Sequence, residues 1–185
     1  MRFTPLDPDT VAAARRGDPD ANGLPPERAT SPGAGHPCRC CLRGIEQGEP
    51  MLVLAARPFA SLHPYAELGP IFLHAEECEP WNGSGPPPVL ATSPDYLLKG
   101  YDAAERIVYG TGSVVPADEV TARADALLSD GGIAFVDVRS ARNNCWLARA
   151  IREWIRAPDA DGSHTKRIRS ARPPARAASP HAGGD

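Results

Sequence analysis

Proline and glycine cut this chain into short pieces. Twenty-one Pro and seventeen Gly occur in 185 residues, and they cluster. Each cluster breaks helix and ladder alike, because proline lacks the N–H donor and glycine favours turns. Only short elements fit between them. From Asp18 to Pro37 the chain is rich in Pro, Gly and Asp without periodicity, which predicts a long loop. Residues 64–70 and 79–88 punctuate it again, the latter closing on three consecutive prolines.

Between the breaks the pattern predicts strands and two helices. Phe3-Thr4-Pro5-Leu6 reads as a short entering strand, and Asp9-Thr10 as the cap of a helix to Arg16, stopped by Gly17. Met51 to Arg57 is a nearly continuous apolar run of strand length. Ile71-Phe72-Leu73 is a second strand, with His74 at its end. Residues 107–109 and 113–115 read as two strands around a Gly110/Gly112 hairpin turn. Pro116 to Leu128 is the clearest helix: Pro116 suits a first turn, Asp118 and Glu119 favour the N-terminal end, and Val120, Ala124, Leu127 and Leu128 share a face. Ile133 to Val138 is a strand, Asn143-Asn144 a turn, and Cys145 to Ile151 fits either a returning strand or a helix, with a hairpin favoured. Residues 157–185 hold five Lys/Arg, three Asp/Glu and almost nothing apolar, the composition of a disordered tail. The expectation is one α+β domain over residues 1–156, loop-rich, with a mainly antiparallel sheet.

Composition narrows the setting. No run approaches the roughly 20 apolar residues of a membrane-spanning helix. The N-terminal residues lack the apolar stretch of a signal peptide, so a cytoplasmic, reducing compartment is expected, with its five cysteines as thiols or metal ligands. Net charge is −3, which gives no general pull toward nucleic acid or membrane. Eighteen Arg against two Lys suggests a GC-rich bacterial coding bias.

Several of these segments, in order, resemble the bacterial family called domain of unknown function 1203. They are Pro37-Cys38-Arg39, Cys41-Leu42-Arg43 and Gly48-Glu49 before an apolar strand, then Pro64-Tyr65-Ala66-Glu67. Gly69-Pro70-Ile71-Phe72 follows with His74 and Cys78, then Tyr101-Asp102 and the Val136 to Arg149 segment with Cys145. The resemblance covers roughly residues 3–152 and implies a single compact bacterial domain, without an activity to carry over. This chain departs from the family pattern near the late strand, where Asp137 and Arg139 replace histidine and Asn144 replaces glycine.

The chemically pointed residues are Cys38, Cys41, His74 and Cys78. Cys-x-x-Cys followed at a distance by His-x-x-x-Cys is how structural zinc sites are assembled, two ligands from a turn and two from another segment. Four ligands of this kind predict a zinc-stapled binding or structural module without catalytic activity. Inert buried thiols are the plain alternative. A small zinc-dependent hydrolase of deaminase type is another, with Pro37-Cys38-x-x-Cys41 as ligands and Glu76 of His74-Ala75-Glu76 as general acid/base. Its motif order is reversed here, and Cys78 closes the position that catalysis needs open. A thiol redox protein using Cys38 and Cys41 is a third reading, although Pro37 and Gly44 leave little room for the helix that would activate the thiol. His63, Tyr65 and Glu67 lie on a punctuated loop, where binding residues often sit. Arg139, Arg142, Arg149 and Arg152 suggest either an anion site or, more simply, a solvated sheet edge.

Overall fold

A computed structural model describes residues 1–153. Two antiparallel sheets carry eight strands, with two α-helices among the described residues. The fold is α+β, as the segment pattern predicts. The first strand, β1 (Arg2–Thr4), leads into α1 (Pro8–Arg16). Asp7, rather than Asp9 or Thr10, caps α1: its carboxylate accepts from the Thr10 amide at 3.0 Å. Pro8 sits where a missing N–H costs nothing, and Gly17 closes the helix at φ 85°.

The smaller sheet has the order β2-β3-β4, from β2 (Glu27–Thr30), β3 (Pro50–Ala56) and β4 (Gly69–His74). β2 corrects the long loop expected over Asp18 to Pro37. Its four residues Glu-Arg-Ala-Thr carry no apolar period, and pairing to β3 makes them a strand. The other edge, β4, is covered rather than free. Cys38 bridges to Phe72 in parallel, and the Arg39 amide donates to the Phe72 carbonyl at 3.0 Å. Leu52, Leu54, Ile71 and Leu73 pack in one core with α1 residues Val11 and Ala14 and with Cys38, Cys40 and Cys41.

The larger sheet has the order β1-β8-β7-β5-β6. Its other strands are β5 (Asp95–Tyr101), β6 (Ser113–Pro116), β7 (Phe135–Ser140) and β8 (Trp146–Ile151). Helix α2 (Val120–Leu128), entered through a 3-10 turn at Ala117–Glu119, buries Val120, Ala124, Leu127 and Leu128, the face its periodicity predicts. They meet Leu98, Val136, Val138, Ala148 and Ala150 in a second core. β7 and β8 form the hairpin favoured from sequence, turning through Asn144 at φ 56°.

Residues 107–109 do not form the predicted strand. β6 instead pairs with β5, and Ile107 makes a single bridge to Tyr101 in the long connection between them. Pro116 ends β6 and is not the first residue of the helix. No helix among the described residues is long and apolar enough to cross a membrane. The tail expected over residues 157–185 lies outside the described residues.

Candidate metal centre

Cys38, Cys41, His74 and Cys78 come together: one ligand atom from each lies within 4.8 Å of all the others. Local chain geometry explains how. Pro37 and Gly44 pair across the base of a tight loop, closed by Cys38 N–H to the Arg43 carbonyl at 2.8 Å and Leu42 N–H to the Cys38 carbonyl at 3.0 Å. Leu42 takes φ 52°, a left-handed conformation that strains a branched side chain. Its side chain is fully buried in the core of the larger sheet, which offsets that strain. The loop so formed holds Cys38 and Cys41 side by side. β4 supplies His74 at its last position, and the following turn returns Cys78.

The distances are specific. Cys38 Sγ lies 3.8 Å from Cys78 Sγ, far beyond a disulfide bond of about 2.05 Å. His74 Nδ1 faces Cys41 Sγ at 3.6 Å. The other ring nitrogen, Nε2, lies 3.3 Å from Glu49 Oε2. A carboxylate there holds a proton on Nε2 and leaves the Nδ1 lone pair turned toward the thiols. The His74 amide donates to Cys38 Sγ at 3.3 Å, and Arg15 Nη2 donates to Cys78 Sγ at 3.1 Å. Both bonds stabilise sulfur as thiolate.

Electrostatics within the set are uneven. Hydrogen bonds from Cys38 above all, then from Cys40 and Cys41, hold the Cys78 thiol far below its ordinary range. Cys41 is pushed far above it, chiefly by its bond to Cys38 and next by that to Cys78. Thiolate is thus favoured at Cys78 over its neighbours. A cation at the centre would displace thiol protons. Cys40 stays outside the set, with its sulfur 3.7 Å from the Cys78 carbonyl.

Glu76 is exposed and is absent from the wall of the cleft beside the cluster, which Glu49, His74, Cys78 and Trp81 help to form. Glu49 and Arg15 escape sequence reading. Glu49 lies in a turn 25 residues before His74, and Arg15 is in α1, so neither shares a short motif with the ligands.

The loop residues have separate roles. His63 Nε2 lies 3.3 Å from Glu105 Oε2, and the Tyr65 and Tyr109 hydroxyls are 3.3 Å apart. Glu67 reaches the larger sheet, accepting from Lys99 Nζ at 2.8 Å and pairing with Arg139. Asp137, fully buried, binds Arg149 Nε at 2.8 Å. Arg149 stacks over Phe135, 3.6 Å from the ring centroid. This corrects the solvated-edge reading for Arg139 and Arg149. β7 and β8 are interior strands, and Arg139 is only 3% exposed. Arg142, which pairs with Asp95, and Arg152 are exposed, as that reading expects.

No curated protein and no solved structure matches this chain. A family model does match, over residues 35–152, a stretch that contains all four cluster residues, the β7–β8 hairpin and the Glu67 loop. On that match the chain belongs to the family described as protein of unknown function (DUF1203).

Proposed function

We propose that Cys38, Cys41, His74 and Cys78 bind one structural zinc ion, and that the protein is a zinc-stapled binding or structural module without catalysis at the metal. The spacing of the ligand atoms carries this reading. Tetrahedral zinc, with about 2.3 Å to sulfur and about 2.0 Å to nitrogen, sets two sulfurs about 3.8 Å apart and a sulfur and a nitrogen about 3.5 Å apart. The corresponding separations in this chain are 3.8 Å for Cys38–Cys78 and 3.6 Å for Cys41–His74. Charge supports it too. Three thiolates and a neutral imidazole around Zn²⁺ leave one negative charge, and Arg15 lies against Cys78 to balance it.

The ion would tie the Cys38 loop to the end of β4 and to the turn after it. Inert thiols need neither the Glu49 carboxylate on Nε2 nor a guanidinium on sulfur. The deaminase-type reading loses support because four protein ligands fill the tetrahedron and Glu76 is exposed. The redox reading is weakened by Cys38, which is fully buried, and by the lack of any helix starting at the Cys-x-x-Cys loop. Zinc analysis of protein purified without a histidine tag tests the proposal. One zinc per chain, lost in Cys38→Ser, is expected; zinc well below one per chain and unaffected by Cys38→Ser would overturn it.

A further inference from the structure

Arg39 is a buried cation without a counter-ion. It is 3% exposed, and no carboxylate pairs with it among the described residues. Backbone carbonyls hold two of its three guanidinium nitrogens: Nε donates to the Trp146 carbonyl at 2.9 Å and Nη1 to the Pro37 carbonyl at 2.6 Å. The third, Nη2, has no partner among the described residues, and it is not one of the side-chain nitrogens sealed from solvent. A buried charge ordinarily has a neutralising partner, because leaving it unpaired is costly.

The surroundings of the guanidinium show where that partner can stand. Arg39 lines a cleft of about 220 Å³. So do the residues around its guanidinium: Pro37, which holds Nη1, Phe72, whose ring centroid lies 5.6 Å from Cζ, and Cys145 and Leu147, which flank Trp146 in sequence. The accessible Nη2 therefore opens on this cleft. No Asp or Glu lines it, and no second cation does. Asp95 and Arg142, next in sequence to Tyr96 and Asn143 of the wall, pair with each other. Ser140 adds a neutral donor: its hydroxyl oxygen accepts from Asn143 N–H at 3.2 Å, and its own hydrogen has no acceptor among the described residues. One uncompensated positive charge matches one negative charge. The volume is below the roughly 300 Å³ at which drug-sized sites begin, so the occupant has few heavy atoms. Pro37 and Phe72, both half-buried, give apolar surface beside the cation, which suits a carbon-bearing anion better than a halide.

We propose that this cleft binds the carboxylate of a small organic acid, one oxygen accepting from Arg39 Nη2 and the short apolar remainder lying against Phe72. The site does not rest on the zinc reading. Acetate is the probe. Sodium acetate replaces sodium chloride at constant ionic strength around the full chain, and ¹H–¹⁵N NMR follows the amides of Ser140, Asn143 and Cys145. Acetate shifts them saturably. Acetamide, of the same shape without the charge, binds at least about tenfold more weakly, as loss of a charge-assisted hydrogen bond requires. Arg39→Met weakens acetate by at least about the same factor. That variant also loses two bonds to backbone carbonyls, so a second one leaves Arg39 in place. Ser140→Asp keeps an acceptor for Asn143 N–H and puts a carboxylate in the cleft wall, which also weakens acetate at least roughly tenfold. No saturable shift, the result if chloride serves as well as acetate, overturns the proposal. So does acetamide binding as tightly as acetate, or wild-type acetate affinity in either variant once folded.

Discussion

Glu49 Oε2 lies 3.3 Å from His74 Nε2, on the side of the ring away from the thiols. The same carboxylate oxygen accepts from the Glu46 amide at 2.9 Å, so the turn fixes it in place. The imidazole is thereby oriented with Nδ1 toward Cys41. Such partners of metal ligands commonly control affinity by about 10–100-fold.

Glu49→Ala should therefore lower zinc affinity by roughly 10–100-fold while leaving stoichiometry at saturation unchanged. Competition with a chromogenic chelator measures it. Wild-type affinity in Glu49→Ala would show that the carboxylate does not orient the ligand.

Cys40 separates the candidate thiols. It is buried beside Cys38 and Cys41 yet stands outside the four-atom set. Cys40→Ala should retain bound zinc, whereas Cys41→Ser should lose it. The reverse result would place the wrong thiol in the shell.

The cluster is legible in sequence because each ligand pair is local, Cys-x-x-Cys in one loop and His-x-x-x-Cys at the end of one strand. Its support is not. Arg15 and Glu49 reach it only through the docking of α1 and the return of the chain into β3. The larger sheet is legible where period and burial coincide, as in α2 and β7. β2 is hidden because an edge strand of Glu27-Arg28-Ala29-Thr30 owes its conformation to β3. Arg139 misleads for a related reason: its charge suggests solvent, and only the fold brings Glu67 and Asp137 against it.

Asp137 sits at the centre of that buried network, fully enclosed, with Arg149 at 2.8 Å and Arg139 at 3.6 Å. Removing it leaves positive charge without a partner. Asp137→Ala should destabilise the fold by about 3–5 kcal/mol, as breaking a buried ion pair does. Urea denaturation measures it, and a loss below about 1 kcal/mol, the value of a surface pair, would contradict the account.

Tyr101 is buried against Phe135, its ring stacked at 5.0 Å, and its hydroxyl has no hydrogen-bond partner. Burial pushes its pKa above the ordinary value of 10.0. Below that value both folded and unfolded phenols keep the proton. As pH rises past it, the unfolded chain ionises first, so the folded state binds more protons and stability falls. Tyr101→Phe should reduce this alkaline loss and raise stability at neutral pH by about 1 kcal/mol, because it removes an unsatisfied buried group. Thermal unfolding between pH 7 and 11 distinguishes the two chains, and a destabilised phenylalanine variant would mean that the hydroxyl has a partner.

The zinc site itself is tested most directly by zinc K-edge X-ray absorption on protein purified without a histidine tag, together with metal stoichiometry. The account predicts one zinc per chain with three sulfurs near about 2.3 Å and one nitrogen near about 2.0 Å. Zinc absent from the purified chain, or a shell in which an oxygen ligand replaces one of these four, would contradict it.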